Sequence, residues 1–189
     1  LGVIDDSGQH LAYVGPYGLE GLDYSQQPWF GEVMSKGSYI SDVFMGYRQT
    51  PHFVIAVRGQ TESRNWVLRA TIDPEIFSRL VRHAQTGRSG DAFIVDKKGV
   101  YQTAPRFGGD ILDRSGLNTR LFGQGVTVDR LSLHGDVRYV AGAWLKNDEW
   151  LLIIRQGIRD ENSGLSMTRK TEMAIIVIGC MAIVAATLL

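Results

Sequence analysis

Residues 53–77 read FVIAVRGQTESRNWVLRATIDPEIF and determine the fold class of the chain. The segments 53–58 and 66–72 are rich in β-branched and aromatic residues, which favours strands. The polar residues between them form a connection of hairpin length. Asp73 as N-cap and Pro74 at the first helical position then predict the start of a helix. The stretch therefore predicts an antiparallel strand pair followed by a helix, an order typical of an α+β fold.

The residues before this stretch continue the same pattern. Residues 1–15 predict two short strands joined by a turn at Asp6-Ser7-Gly8, where glycine can adopt positive φ. Residues 25–35 place large apolar side chains at helical spacing and predict a short amphipathic helix that ends at Gly37. Residues 39–44 alternate as in a strand.

The residues after the central stretch repeat this order in a shorter form. Residues 91–95 and 100–103 predict two strands around an Asp-containing turn, and a glycine-rich loop follows. Residues 138–143 and 150–156 predict a second hairpin. Because both halves contain a strand–turn–strand opening and a late hairpin, the sequence predicts two related domains in tandem.

The C-terminal residues 173–189, MAIIVIGCMAIVAATLL, contain no charged residue and no proline. A helix of this length spans about 25 Å, close to the bilayer core of about 30 Å. We therefore expect a truncated transmembrane helix at 173–189, preceded by a stalk at 158–172. The repeated strand pattern places the two domains at 1–88 and 89–157. The alternative is a helix buried in a large globular core. Most helices of globular proteins have one apolar stripe, whereas this segment is apolar on every face.

Composition excludes several classes of function. Twenty basic residues balance twenty acidic ones, and no basic stripe supports binding to nucleic acid. The only cysteine is Cys180 in the apolar segment, so the polar part has no disulfide. The four histidines lack metal-ligand spacing, and no nucleophile or phosphate-binding motif is present. The sequence thus predicts no metal, no cofactor and no covalent chemistry.

Several short motifs occur in a definite order. They are YVGPY at 13–17, DY at 23–24, PWF at 28–30, GSYISDVF at 37–44, GYR at 46–48, PHFVIAV at 51–57, and GDAFIV at 90–95 with Gly99. In this order the chain resembles double Cache sensor domains, the extracytoplasmic PAS-like ligand modules of bacterial histidine kinases and chemoreceptors. The resemblance covers most of residues 1–157. It implies two tandem PAS-like Cache modules, each a curved antiparallel sheet with flanking helices.

The resemblance also implies a setting for the chain. It implies an N-terminal helix and a first transmembrane helix before residue 1, a second one at 173–189, and a homodimer formed through helices. Residues 1–172 would then lie outside the cytoplasm of a bacterium, with the chain anchored in the inner membrane. The sequence looks most similar to sensors of two-component histidine kinases, with a chemoreceptor and a cyclase-type receptor as alternatives. Hypotheses of other classes are a membrane-anchored extracytoplasmic enzyme and a structural domain without a ligand.

Members of this family that bind amino acids carry an Arg-x-Trp-Tyr cluster, a later Tyr and a later Asp. Here Trp29 matches the tryptophan, whereas Gln27 and Phe30 occupy the arginine and tyrosine positions. Tyr39 and Asp73 match the later two positions. Loss of the arginine removes the two-pronged clamp on a carboxylate. We therefore expect weak binding of common L-amino acids.

Arg48 and His52 are the expected replacements for the missing cation in binding a carboxylate- or amine-bearing metabolite. The predicted ligand-binding set is thus Trp29, Tyr39, Arg48, His52 and Asp73. Each residue has an alternative role: core packing for the two aromatic residues, a surface ion pair for the arginine, a turn for the histidine, and a helix cap for the aspartate. Four further residues are interpreted as turn, cap or strand positions: Asp42, Asp91, Asp96 and Tyr101.

Overall fold

The computed structural model describes residues 1–19, 21–62, 64–83, 89–133 and 136–157. Over these residues the chain folds mainly into antiparallel sheet with two α-helices, as expected for an α+β fold. None of the helices in these residues is long and apolar enough to span a bilayer. The predicted stalk at 158–172 and membrane segment at 173–189 lie outside the described residues.

The first half of the chain forms a six-stranded sheet and both α-helices. Its elements are β1 (Gly2–Asp5), β2 (His10–Tyr13), α1 (Pro28–Lys36), β3 (Ser38–Ile40), β4 (Phe44–Met45), β5 (Pro51–Gln60), β6 (Asn65–Ile72) and α2 (Pro74–Arg82). The strand order is β2-β1-β6-β5-β3, with β4 also paired to β5. The β5–β6 pair runs antiparallel from Phe53 opposite Ile72 to Gln60 opposite Asn65.

The second half forms a separate four-stranded antiparallel sheet. Its strands are β7 (Asp91–Asp96), β8 (Val126–Leu133), β9 (Asp136–Leu145) and β10 (Trp150–Gly157), with a short 3-10 helix at Thr119–Leu121. Their order is β7-β10-β9-β8. A core that includes Phe93, Tyr101, Val140 and Leu151 packs against this sheet.

The core of the first half lies between its sheet and helix α1. Its buried members are Ile4, Tyr24, Trp29, Phe30, Val33, Val54, Ala56 and Val67. Along β6, Val67 and Arg69 are buried whereas Leu68 between them is exposed, which is the period of two expected for a strand. An arginine therefore lies on the inward face of this sheet.

A third apolar cluster joins the two sheets. It comprises Val43, Phe53, Ile94 and Trp150. Polar contacts reinforce the junction: Trp150 Nε1 donates to Asp42 Oδ1 at 2.7 Å, and the Val43 amide donates to Gln102 Oε1 at 2.7 Å. Because the residues around Asp42 lie between β3 and β4, this short segment links the first sheet to the second.

Most of the predicted elements are confirmed, with bounds that differ by a few residues. The first hairpin, the central β5–β6 pair, both helices and the last hairpin form where the sequence predicts them. Gly37 ends α1 with φ 83°, and the Asp73 side chain caps α2 by accepting from the Glu75 amide at 2.9 Å.

Three predictions need correction. The strand predicted at 39–44 is interrupted, because Ser41 turns inward and its hydroxyl accepts from the Val54 amide at 2.9 Å. Residues 100–103 make only isolated bridges, whereas the strand at 126–133 was not predicted. Asp91 is a strand residue as predicted, and its carboxylate is fully buried in an ion pair with Arg155 at 2.7 Å. Asp42 serves the junction between the sheets rather than a turn or cap.

Candidate functional site

A small cavity lies between the first sheet, helix α1 and the residues that follow β4. Its volume is about 20 Å³, enough for roughly one water molecule. It is lined by Leu19, Tyr24, Gln27, Trp29, Phe44, Gly46, Tyr47, Arg48, His52 and Arg69. The walls are thus mainly aromatic, and they converge on a few polar groups, as is usual in ligand sites.

Arg69 is the buried cation of this cavity, with only 6% of its surface exposed. Its guanidinium lies over the rings of Tyr24 at 4.6 Å and Trp29 at 5.5 Å, and Nη2 donates to Thr71 Oγ1 at 2.7 Å. Its Nε is buried and has no hydrogen-bond partner among the described residues. None of the ion pairs among the described residues involves Arg69. Within the described part of the chain, the two rings and one hydroxyl are the groups that contact its guanidinium.

Tyr24 brings a second unpartnered donor to the same cavity. Its ring is 2% exposed, and its hydroxyl is buried without a hydrogen-bond partner among the described residues. The turn of the first hairpin positions it, because the Tyr24 amide donates to the Gly8 carbonyl at 2.8 Å. Gly8 has φ 93°, and a Cβ there would lie 2.4 Å from the Ser25 amide nitrogen. Only glycine therefore allows this close approach.

His52 lies on β5 and contributes a neutral group. It is 3% exposed, and Nδ1 lies 2.9 Å from the Thr50 carbonyl. Burial lowers the pKa of His52 below its ordinary value, the Thr50 carbonyl partly opposes this, and the charges of Arg48 and Arg69 lower it further. The ring is therefore neutral near pH 7, with Nδ1 as donor to the carbonyl and Nε2 as acceptor.

Three of the five predicted binding residues line this cavity. Trp29 is 3% exposed and forms part of its wall beside His52. Arg48 lies at the edge, where its guanidinium stacks over the half-exposed ring of Tyr17 at 4.3 Å. Arg48 also lines a neighbouring cleft of about 410 Å³. It thus connects the inner cavity with a wider opening.

The other two predicted residues lie elsewhere. Asp73 lines the neighbouring cleft with Arg48, while its side chain caps helix α2. Tyr39 lines a different cleft of about 370 Å³ beside the junction of the two sheets, together with Lys36, Lys146 and other residues. The structure therefore brings Asp73 to the border of the cavity and leaves Tyr39 apart from it.

The charge of the cavity favours an anion. Its described lining includes two arginines and one histidine and no acidic side chain. Unpartnered N–H and O–H groups in a low-dielectric site bind an oxyanion strongly, because charge-assisted hydrogen bonds replace a costly unsatisfied state. No group of three or more metal-ligating side chains occurs among the residues that the structure describes.

Arg69, Tyr24 and Tyr47 are site residues that sequence reasoning missed. The inward orientation of Arg69 could have been predicted from the alternation of a strand. Arg69 follows Val67 by two residues on a predicted strand, so both side chains share the inward face. No comparable local signal marks the other two. Tyr47 reaches the site through a loop contact, since its hydroxyl donates to the Asp23 carbonyl at 3.0 Å.

Comparison with known proteins gives matches in structure alone. No protein-family model matches the sequence, and no curated protein matches it significantly. The ligand-binding domain of the amino acid chemoreceptor PctB from Pseudomonas aeruginosa PAO1, in complex with L-Arg, matches with a TM-score of 0.70 and 16% identity. This match covers 89% of this chain and 70% of that one. The chain shares the fold of this receptor domain.

Two further ligand-binding or extracellular domains match over a similar length. The extracellular domain of rpHK1S-Z16, described as a candidate histidine kinase, matches with a TM-score of 0.62 and 17% identity, covering 86% of this chain and 72% of that one. The ligand-binding domain of Mlp24 with asparagine matches with a TM-score of 0.62 and 16% identity. This match covers 88% of this chain and 70% of that one. The shared fold thus occurs in the ligand-binding domain of a chemoreceptor and in the extracellular domain of a candidate histidine kinase.

Proposed function

We propose that the chain is the extracytoplasmic sensing part of a bacterial transmembrane receptor, which binds a small metabolite between its first sheet and helix α1. The observation that carries this proposal is the buried Arg69, whose Nε and the neighbouring Tyr24 hydroxyl line a cavity without partners among the described residues. Buried polar groups need a hydrogen-bond partner, and a ligand that enters the cavity would supply one to both groups. The fold shared with receptor ligand-binding domains is consistent with this role.

The proposal assigns a role to each part of the chain. Residues 1–88 form a membrane-distal Cache module that holds the ligand, and residues 89–157 form a membrane-proximal module. Residues 158–172 serve as a stalk, and residues 173–189 enter the inner membrane. Two copies associate through helices. The segment around Asp42 contacts the second sheet and leads into Phe44 at the cavity wall, so it gives ligand binding a route to the second module.

Within this proposal the receptor is a two-component histidine kinase, with a chemoreceptor as the second candidate. The motifs within residues 39–57 are most similar to those of histidine kinase sensors, which favours the kinase. Domains of this fold occur in a chemoreceptor and in a candidate histidine kinase. The sequence encoded after Leu189 distinguishes them. A HAMP linker and a histidine-containing dimerisation helix support the kinase, whereas a long heptad coiled coil supports the chemoreceptor.

A thermal-shift screen of the 189-residue chain against carboxylates, amines, amino acids and purines tests the sensing function. A ligand at 100 times its Kd is expected to stabilise the protein by about 2.7 kcal/mol. If no metabolite stabilises the chain, the structural-domain hypothesis is supported instead. Product formation by the purified chain in a substrate screen would support the hypothesis of a membrane-anchored enzyme.

A further inference from the structure

The cavity around Arg69 holds a positive charge for which the described residues offer no counter-charge. Arg69 is 6% exposed, it takes part in none of their ion pairs, and its Nε is unpartnered. The Tyr24 hydroxyl is buried beside it and also has no hydrogen-bond partner among the described residues. An oxygen with two lone pairs can accept from both donors, and only an oxygen that carries negative charge also neutralises the guanidinium.

The same surroundings disfavour an ammonium group. The described residues that line the cavity include two arginines and no carboxylate, and the carboxylate of the neighbouring cleft, Asp73, caps helix α2. His52 is neutral, and a single imidazole acceptor does not offset two guanidinium charges. An ammonium on the carbon next to a bound carboxylate would therefore be desolvated close to like charges.

We propose that the ligand is an organic carboxylate with no ammonium group on the adjacent carbon, held by Arg69 and the Tyr24 hydroxyl. This inference rests on the sensing function proposed above and names the chemical class for the same site. Arg69 lies on β6, so it approaches the cavity from the sheet rather than from the start of α1.

The dimensions of the site give the ligand an orientation. The inner cavity of about 20 Å³ has room for about one oxygen atom, so one carboxylate oxygen enters it beside Arg69 and Tyr24. The neighbouring cleft of about 410 Å³ shares Arg48 with it and contains Thr71, whose hydroxyl accepts from Arg69 Nη2 at 2.7 Å. The carbon chain of the ligand extends from the inner cavity toward this cleft.

Matched pairs of compounds test the ligand class. Each carboxylate is compared with the amino acid that adds only a 2-ammonium group: propionate with L-alanine, succinate with L-aspartate, and 4-methylpentanoate with L-leucine. Kd values for the 189-residue chain are measured by calorimetry and thermal shift. In every pair that binds, the carboxylate is expected to bind at least about 10-fold more tightly. Equal or tighter binding of the amino acids overturns the inference.

The same experiment separates this inference from the sensing function. If none of the carboxylates binds but an amine or a purine stabilises the chain, the ligand class is wrong and the sensing function stands. If nothing in either panel binds, the sensing function fails as well.

Variants of Arg69 test the residue. Arg69→Met is expected to weaken carboxylate binding about 10- to 100-fold without lowering the Tm of the unliganded chain, because the lost charge is unpaired. Arg79→Met is the matched control, since Arg79 is exposed on α2, and it should change neither quantity. A lower Tm with unchanged Kd in Arg69→Met would show that the arginine is structural and overturn the assignment.

A conservative variant keeps the test valid if Arg69→Met does not fold. Arg69→Lys retains the charge but loses the planar fork that lets one side chain donate to two oxygens. It is expected to fold and to bind carboxylates at least about 5-fold more weakly. Wild-type affinity in Arg69→Lys would contradict the clamp.

Discussion

At position 52 an imidazole lies inside a site that already contains two arginines. Desolvation is the main cause of its lowered pKa, and the positive charges of Arg48 and Arg69 add to it. Protonation of His52 would place a third positive charge in the same cavity. Desolvation and repulsion from the two arginines therefore hold the imidazole of His52 in its neutral form.

This charge state predicts a pH dependence of stability. Because the folded-state pKa lies below the unfolded value of about 6.5, the unfolded chain binds the proton more readily between these two values. The unfolding free energy should therefore fall as the pH drops below about 6.5. The contribution of His52 to this fall ends once the pH lies below its folded-state pKa. Urea denaturation at several pH values measures this.

Variants assign the effect to His52. His52→Asn keeps a donor for the Thr50 carbonyl and should lose part of the acid sensitivity. The control His83→Asn alters an exposed histidine on the C-cap of α2 and should leave the pH profile unchanged. An identical profile for wild type and His52→Asn would contradict the prediction.

At the scale of single elements, caps and turns set the positions of the site residues. Asp73 ends β6 and begins α2, and it also lies in the cleft beside Arg48. Gly8 lets the chain around Tyr24 pass against the first hairpin. Each therefore has a local structural role that can be separated experimentally from ligand binding.

Asp73→Ala is expected to destabilise the protein by about 1 kcal/mol, because the Glu75 amide loses its side-chain acceptor. Asp73→Ser retains a capping oxygen but no charge and should restore most of this stability. Chemical denaturation measures both. If Asp73 also binds the ligand through its charge, both variants will weaken binding equally, whereas a pure cap predicts unchanged Kd in the serine variant.

Gly8→Ala is expected to destabilise the protein by more than about 1 kcal/mol, since φ 93° is unfavourable for alanine and the new Cβ would clash with Ser25. Ligand affinity should fall as well, because Tyr24 is held by the Gly8 carbonyl. The control Gly31→Ala lies within α1 with open space around its Cβ. It should stabilise the protein by about 0.5–1 kcal/mol, and a similar gain in Gly8→Ala would contradict this account.

At the scale of the whole molecule, the two sheets share one apolar cluster. Trp150 on β10 contacts Phe53 on β5 with ring centroids 5.6 Å apart and Phe77 on α2 at 6.0 Å. It is 5% exposed, and its Nε1 is bonded to Asp42. The two sheets are therefore in direct contact through packed side chains.

Because of this cluster, we expect the two sheets to unfold in one cooperative transition. Trp150→Ala should destabilise the protein by about 3–5 kcal/mol, and it should reduce hydrogen-exchange protection in both β5 and β10. The conservative Trp150→Phe should cost less, since it keeps most of the ring. Loss of protection confined to the second sheet would show that the sheets are energetically independent.

The sequence by itself determined the local elements of this protein. The first hairpin, α1, the β5–β6 pair and α2 depend on turn glycines, a proline at the helix start and capping side chains that lie within a few residues of each other. The strand at 126–133 escaped prediction because it follows a glycine-rich stretch that reads as a loop. Residues 100–103 alternate like a strand, yet they pair only through isolated bridges.

Only the tertiary structure decided the composition of the cavity. Trp29, Arg48 and His52 could be chosen from residue types and a family resemblance, and they line the cavity with the arginine at its edge. Arg69 and Tyr24 are 45 positions apart in the chain, and no local pattern indicates that their unpartnered donors lie together. Local propensity acts over a few residues, whereas the burial of a charge depends on which distant strands and turns pack around it.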